Sequence, residues 1–292
     1  MLQIQTIRER KDFVIERLAV KNYNADGLIS QILDIDEIRR STQRELDTLL
    51  SESNQIAKQV GEMMRSGKKS EAEELKNKSG ALKESSKKLN ERLAELEKQQ
   101  HDLLVQLPNL PSDKVPKGKT PEDNEMVHSE GKMPQLPASA KPHWELAAQY
   151  DIIDFELGVK LTGAGFPVYK GKGARLQRAL INFFLDRATG HGYKEVQPPI
   201  LVNEDSGFGT GQLPDKEGQM YHVGLDNLYL IPTAEVPVTN IYRDVIVKEG
   251  DFPIRMCGYT PCFRREAGSY GKDVRGLNRL HQFDKVEIVQ LV

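Results

Sequence analysis

Cysteine is nearly absent: Cys257 and Cys262 are the only two among 292 residues. Four residues separate them on one expected strand, so they face opposite ways. Neither a disulfide nor a shared metal site suits them, and reduced structural thiols in the cytoplasm are the expectation. No run of 18 apolar residues exists, so no membrane span is expected. The first ten residues lack the apolar core of a signal peptide. Excess charge of one sign is also missing. The net charge is −2, so any contact with nucleic acid has to come from a local patch, not a global field. Gly207-Phe208-Gly209-Thr210-Gly211 lacks both the Lys-Ser/Thr of a P-loop and the glycine spacing of a dinucleotide fingerprint. It reads as a mobile loop, and a nucleotide would need a different kind of fold.

The sequence does offer patterning. It is 38% apolar and 29% charged, a soluble globular composition with room for two domains. Residues 4–20 read as a short amphipathic helix, and Asn24-Ala25-Asp26-Gly27 breaks it. From about Leu28 a second helix places Ile32, Ile35, Arg39, Thr42, Leu46, Leu49, Ser53, Ile56, Val60 and Met63 at steps of three and four, the seam of a coiled coil. After a turn at Ser66-Gly67-Lys68, Leu75, Leu82, Leu89, Leu96 and Leu103 recur every seven residues. Two such helices predict an antiparallel hairpin over about 28–105, each arm on the order of 55 Å long. Around its tip Arg65, Lys68, Lys69, Lys76, Lys78, Lys83, Lys87 and Lys88 outnumber four Glu. Such a patch can grip phosphates without reading bases. A solvated coiled-coil exterior has the same composition, and a protein–protein coiled coil uses the same pattern.

Seven of the 15 prolines fall in 108–142, which marks a linker between domains at 1–107 and 143–292. Ala174–Thr189 reads as a helix, with Leu176, Leu180, Phe183, Phe184 and Ala188 largely on one face. Gly192–Leu201 reads as a strand ended by Pro198-Pro199. Leu228–Ile231 is a short apolar strand leading to Thr233-Ala234-Glu235. Glu235, set among apolar residues and prolines, would be expensive to bury unless a cation met it. A helix first-turn position explains it as well.

Phe252–Val292 reads as strand, glycine-rich loop, strand, with arms at Phe252–Arg264 and Asn278–Leu291. Alternation puts Arg279, His281, Phe283, Lys285 and Glu287 on one face of the second arm. Its ring and carboxylate, Phe283 and Glu287, stand roughly 13 Å apart. Arg264 ends the first arm with a planar fork suited to a phosphate. The outline fits an aminoacyl adenylate, and an ordinary surface hairpin with cross-strand charge pairs fits the spacing too.

Cys262-Phe263-Arg264-Arg265-Glu266-Ala267-Gly268, Gly271-Lys272-Asp273-Val274-Arg275-Gly276-Leu277 and His281-Gln282-Phe283-Asp284-Lys285-Val286-Glu287 closely resemble motif 2 of seryl-tRNA synthetases, which are class II aminoacyl-tRNA synthetases. The helix and strand over about 174–202, with Pro199, are similar to class II motif 1, which implies a homodimer interface there. Thr233-Ala234-Glu235 matches the family's serine-binding triplet. The resemblance implies an α+β protein: an N-terminal coiled-coil hairpin that holds tRNA(Ser), with tRNA(Sec) a further acceptor, then an antiparallel β-sheet domain flanked by helices. Its implied chemistry is activation of L-serine with ATP and Mg²⁺, with no metal held by a side-chain cluster. It further implies that Arg264 holds the α-phosphate, with Arg265 beside the nucleotide and Glu266 at the adenine end. Phe283 would stack on adenine, and the Leu280 backbone would read its edge. Thr233, Ala234 and Glu235 would surround serine, and Glu287 would accept its hydroxyl. The family's motif 3 has no match, so a chain truncated within the catalytic domain is expected. The competing functions are an inactive tRNA-binding relative and a coiled-coil scaffold.

Overall fold

The computed structural model describes residues 2–267 and 275–292. Gly268, Gly271, Lys272, Asp273 and Val274 of the motif 2 loop lie outside that range, as does the side chain of Lys69. The chain divides into two compact units, Met1–Gly131 and Lys132–Val292, within the proline-rich stretch.

In the first unit the expected single N-terminal helix is two, α1 (Ile4–Glu9) and α2 (Lys11–Val20). Arg10 leaves helical space between them (φ −137°, ψ 43°), and its N–H closes α1 onto Thr6. The break frees α1 to pack on its own against the next helix, bringing Ile7 into the core and Arg8 to Asp36. That helix, α3 (Asp26–Arg65), turns at Ser66–Lys68 into α4 (Lys69–Leu104). Gly67 takes φ +76° in the turn, a conformation glycine adopts without a Cβ penalty. At 1.5 Å per residue the two helices are about 60 and 54 Å long. Every seam position expected on α3 is buried or half-buried, and the heptad leucines of α4 face the same seam. Packing is densest at the base, where Ile7, Val14, Leu18, Ala25, Ile29, Ile32, Leu104 and Leu107 form one cluster.

One buried acid interrupts that base. Asp36 is 1% exposed and meets Arg8 at 2.9 Å, Arg39 at 3.3 Å and the Gln100 amide at 3.1 Å. Burial alone would raise its pKa. The hydrogen bonds from Gln100, Arg8 and Arg39 outweigh burial and hold the carboxyl below its ordinary value.

The second unit begins with α5 (His143–Gln149), β1 (Ile153–Asp154), α6 (Phe155–Leu161), β2 (Val168–Tyr169) and α7 (Lys172–Gly190). Then come β3 (Lys194–Glu195), β4 (Leu201–Val202), α8 (Glu204–Gly209), β5 (Tyr221–Val223), β6 (Leu228–Leu230), α9 (Glu235–Asn240), β7 (Ile254–Phe263) and β8 (Gln282–Leu291). Among the described residues β1 pairs with β2, β3-β7-β8 form a second sheet and β4-β6-β5 a third. Pairing is antiparallel except between β3 and β7.

Three expectations need correction. The strand expected over 192–201 is two strands in two sheets. Prolines have no N–H to donate, so the ladder stops after Val196 N–H meets Cys257 and resumes where Ile231 N–H meets Ile200. The glycine-rich 207–211 is not a free loop, because α8 occupies 204–209 and is capped by the Asn203 side chain on Ser206 N–H at 3.0 Å. Gly207 is there for packing: a Cβ would come within 2.7 Å of Leu213 Cδ1. The second arm starts at Gln282, not Asn278, because residues 275–281 form a turn held by other segments. On α7, Leu176, Leu180, Phe183 and Phe184 are all exposed. No described helix is long and apolar enough to cross a membrane.

Candidate active site

β7 and β8 pair over ten positions, from Ile254 opposite Leu291 to Phe263 opposite Gln282. Alternation sends Phe283, Lys285 and Glu287 to one face of β8 and Asp284 to the other. The contacts on each face agree. Thr233, just ahead of α9, donates to Glu287 Oε2 at 2.8 Å. Lys285 Nζ donates to Thr233 Oγ1 at 2.9 Å and sits 2.5 Å from Glu287 Oε2. On the reverse face Asp284 accepts from the Tyr259 hydroxyl at 2.6 Å and from the Gln177 amide of α7. Burial first, then the bond to Asp284 and its charge, pushes Tyr259 up to about 12. The hydroxyl therefore remains a donor throughout the physiological range.

Arg264 lies just beyond β7, its guanidinium carbon 5.1 Å from the centre of the Phe283 ring. Its Nε donates to the Pro232 carbonyl at 3.3 Å and its backbone N–H to His281 at 2.9 Å. The expected phosphate ligand and the expected adenine platform therefore adjoin, and the guanidinium retains further donors for an anion. Arg265 is exposed, with its guanidinium over Tyr221 at 5.7 Å. Glu266 takes φ +48° and pairs with Arg279 at 3.5 Å. Arg279 thus belongs to the turn, not to the face of β8. Leu280 is buried.

Within the serine triplet, Thr233 and Ala234 are buried. Glu235 is exposed at the start of α9. The cost argued for burying Glu235 therefore does not arise, since α9 turns its first side chain outward. Sequence reasoning placed Lys285 on the same face as Glu287 but gave it no role, and it also missed Asp284, Tyr221, His281 and His143. Strand alternation was a usable signal for Lys285. The others depend on contacts from remote segments.

Pro199 and, on α7, Leu176, Leu180, Phe183 and Phe184 are exposed, whereas Ala188 of the same expected face is buried. In the arm, Lys68, Lys76, Lys78, Lys87 and Lys88 pair with Glu71, Glu73, Glu52, Glu91 and Glu84 at 2.8–4.0 Å. Lys83 is exposed. Solvent-exposed pairs of this kind are worth about 0–1 kcal/mol, so a phosphate can replace the carboxylate at little cost. No group of three His, Cys, Asp or Glu among the described residues could hold a metal. A nucleotide-borne Mg²⁺ needs only one or two protein carboxylates beside the phosphates.

The hairpin thus carries a ring, an arginine fork and an acid, and Thr233 meets the acid from outside it. Residues 221–292 match the family model of the "tRNA synthetase class II core domain (G, H, P, S and T)", and residues 1–111 match the "Seryl-tRNA synthetase N-terminal domain". Over 292 residues the chain is 50% identical to the serine–tRNA ligase of Salinibacter ruber, covering 100% of this chain and 68% of that protein. It is 44% identical to that of Syntrophotalea carbinolica, covering 99% and 68%. The crystal structure of seryl-tRNA synthetase from Pyrococcus horikoshii complexed with ATP superposes with a TM-score of 0.81 at 32% identity, covering 99% of this chain and 69% of that one. The chain belongs to the serine–tRNA ligase family, whose members are ATP-dependent aminoacyl-tRNA ligases.

Proposed function

We propose that this chain binds ATP and L-serine along β7 and β8, forms seryl-adenylate, and passes the seryl group to tRNA(Ser) held by the α3–α4 arm. The observation that carries the reading is the shared face of β8, which bears Phe283 beside Arg264 at one end and Glu287 bonded to Thr233 at the other. In the first step a serine carboxylate oxygen attacks the α-phosphorus. A new P–O bond forms and the bond to the bridging oxygen breaks, so pyrophosphate leaves. Arg264 stabilises charge on the phosphoryl oxygens, and Phe283 stacks on the base. With Glu266 and the Leu280 backbone at the adenine end, and Arg265 beside the nucleotide, the site acts by positioning and charge neutralisation. Glu287 accepts the serine hydroxyl, while Thr233, the Ala234 backbone and Glu235 surround the amino group. An acceptor placed for the hydroxyl favours serine over alanine, because alanine forgoes that hydrogen bond. In the second step the terminal ribose hydroxyl of tRNA attacks the acyl carbon and AMP leaves.

The exposed apolar face of α7 and the Pro199 segment form a homodimer contact in this reading, and the cytoplasm is the working compartment. Mg²⁺ carried on the nucleotide would neutralise its phosphates. Serine-dependent ATP–pyrophosphate exchange tests the chemistry: Arg264→Ala abolishes it, and undiminished exchange removes Arg264 from the site. Deleting residues 28–105 spares exchange and cripples tRNA charging. Charging that survives the deletion removes the arm as the tRNA grip.

A further inference from the structure

The turn that feeds β8 has no regular structure of its own, so contacts from elsewhere must set its shape. At its start the Leu277 N–H donates to His143 Nε2 at 2.8 Å. Nε2 is the acceptor of this bond. Gly276 takes φ +64°, and a Cβ there would overlap His143 Nε2. The turn's end repeats the arrangement. His281 N–H donates to Gly165 at 2.9 Å, and a Cβ on Gly165 would overlap the His281 ring. The ring stacks on Phe166 with centroids 5.3 Å apart, and its Nδ1 lies 2.6 Å from the Tyr221 hydroxyl. The His281 carbonyl accepts the Arg264 N–H at 2.9 Å. The Arg279–Glu266 pair ties the middle of the turn to the segment after β7.

We propose that His143 and His281 are positioning residues: two imidazoles, each pressed against a glycine, hold the turn Gly276–His281 at both ends and fix the Leu280 backbone and Arg264 for the nucleotide. The inference rests on the nucleotide reading above and adds to it the device that shapes the adenine end. His143 approaches from α5, far away in sequence, so the turn is ordered only once α5, β5 and the Gly165 segment have packed.

The test is residue-resolved amide exchange on the 292-residue chain without nucleotide, followed by ATP titration of the same samples. His143→Phe keeps a ring but removes the acceptor, and His143→Gln restores an acceptor. Losing one such bond should speed Leu277 exchange by about tenfold. The Arg264 and His281 amides should follow by a smaller factor. His143→Gln should return most of the protection, and Tyr221→Phe should speed exchange at His281 before Leu277. ATP should bind more weakly to His143→Phe. Unchanged exchange at Leu277 overturns the proposal, as does a change confined to Leu277. Equal ATP affinity in His143→Phe and wild type overturns the positioning role. If exchange behaves as expected but the wild-type chain does not bind ATP, the nucleotide reading falls and the clamp itself stands.

Discussion

The molecule contains two antiparallel hairpins built on opposite principles. In the helical arm each residue's partners follow from a seven-residue period, and only its base carries a tertiary anchor, the Asp36 cluster. In the β7–β8 hairpin the pairing is local, but Glu287 and Arg264 on the proposed site, and Asp284 on the reverse face, are each fixed by a distant segment: Thr233, Pro232 and Gln177. A repeating element can be extended or trimmed without redesigning its neighbours. A site assembled from remote segments cannot.

Substitutions can break or sharpen that contrast, and the largest effect should come from the arm's base. Leu96→Ala removes a buried seam leucine and should cost about 2–5 kcal/mol of arm stability in urea denaturation. Serine-dependent exchange should stay unchanged at temperatures where the second unit is folded. Asp36→Ala leaves Arg8 and Arg39 facing a buried site without their acid and should cost about 3 kcal/mol. The depressed pKa of Asp36 gives that cluster a pH signature. Its contribution is complete above the unfolded value of about 3.9 and is lost as pH falls through the lower folded value. An acid titration of helicity should show the loss in wild type and not in Asp36→Asn.

The β7–β8 hairpin should respond differently. Tyr259→Phe leaves Asp284 with one fewer donor and should cost about 1–2 kcal/mol. That loss should appear in the thermal unfolding of the second unit and leave the arm unaffected. The smallest effect belongs to the tip. Lys78→Ala breaks an exposed pair with Glu52 and should change stability by less than about 1 kcal/mol. In the proposed tRNA complex it should reduce the slope of log affinity against log salt by about one phosphate contact.

The same contrast explains what was legible in the sequence. The arm could be read nearly residue by residue, because helical period alone chooses the buried face. Arg10 was missed because nothing local to it breaks a helix; the break accompanies the burial of Ile7 and the pairing of Arg8 with Asp36. The face of β8 was legible from alternation, down to Lys285 beside Glu287. The start of β8 was not, because Asn278–His281 have acceptable strand chemistry but are held in a turn by His143 and Gly165. Glu235 was judged by its neighbours in sequence, and α9 then turned it outward. Gly207 and Gly209 suggested mobility until α8 packed them against Leu213 and Asn240.

The central claim is that one face of β8 and its partners bind an aminoacyl adenylate. The most direct measurement is calorimetric titration of the 292-residue chain with a non-hydrolysable seryl-adenylate analogue, alongside its alanyl counterpart. Binding of the seryl compound that Arg264→Ala and Glu287→Gln each weaken by at least about tenfold, with the alanyl compound bound poorly, is the expected result. Binding indifferent to both substitutions, or no binding by the folded chain, would contradict it.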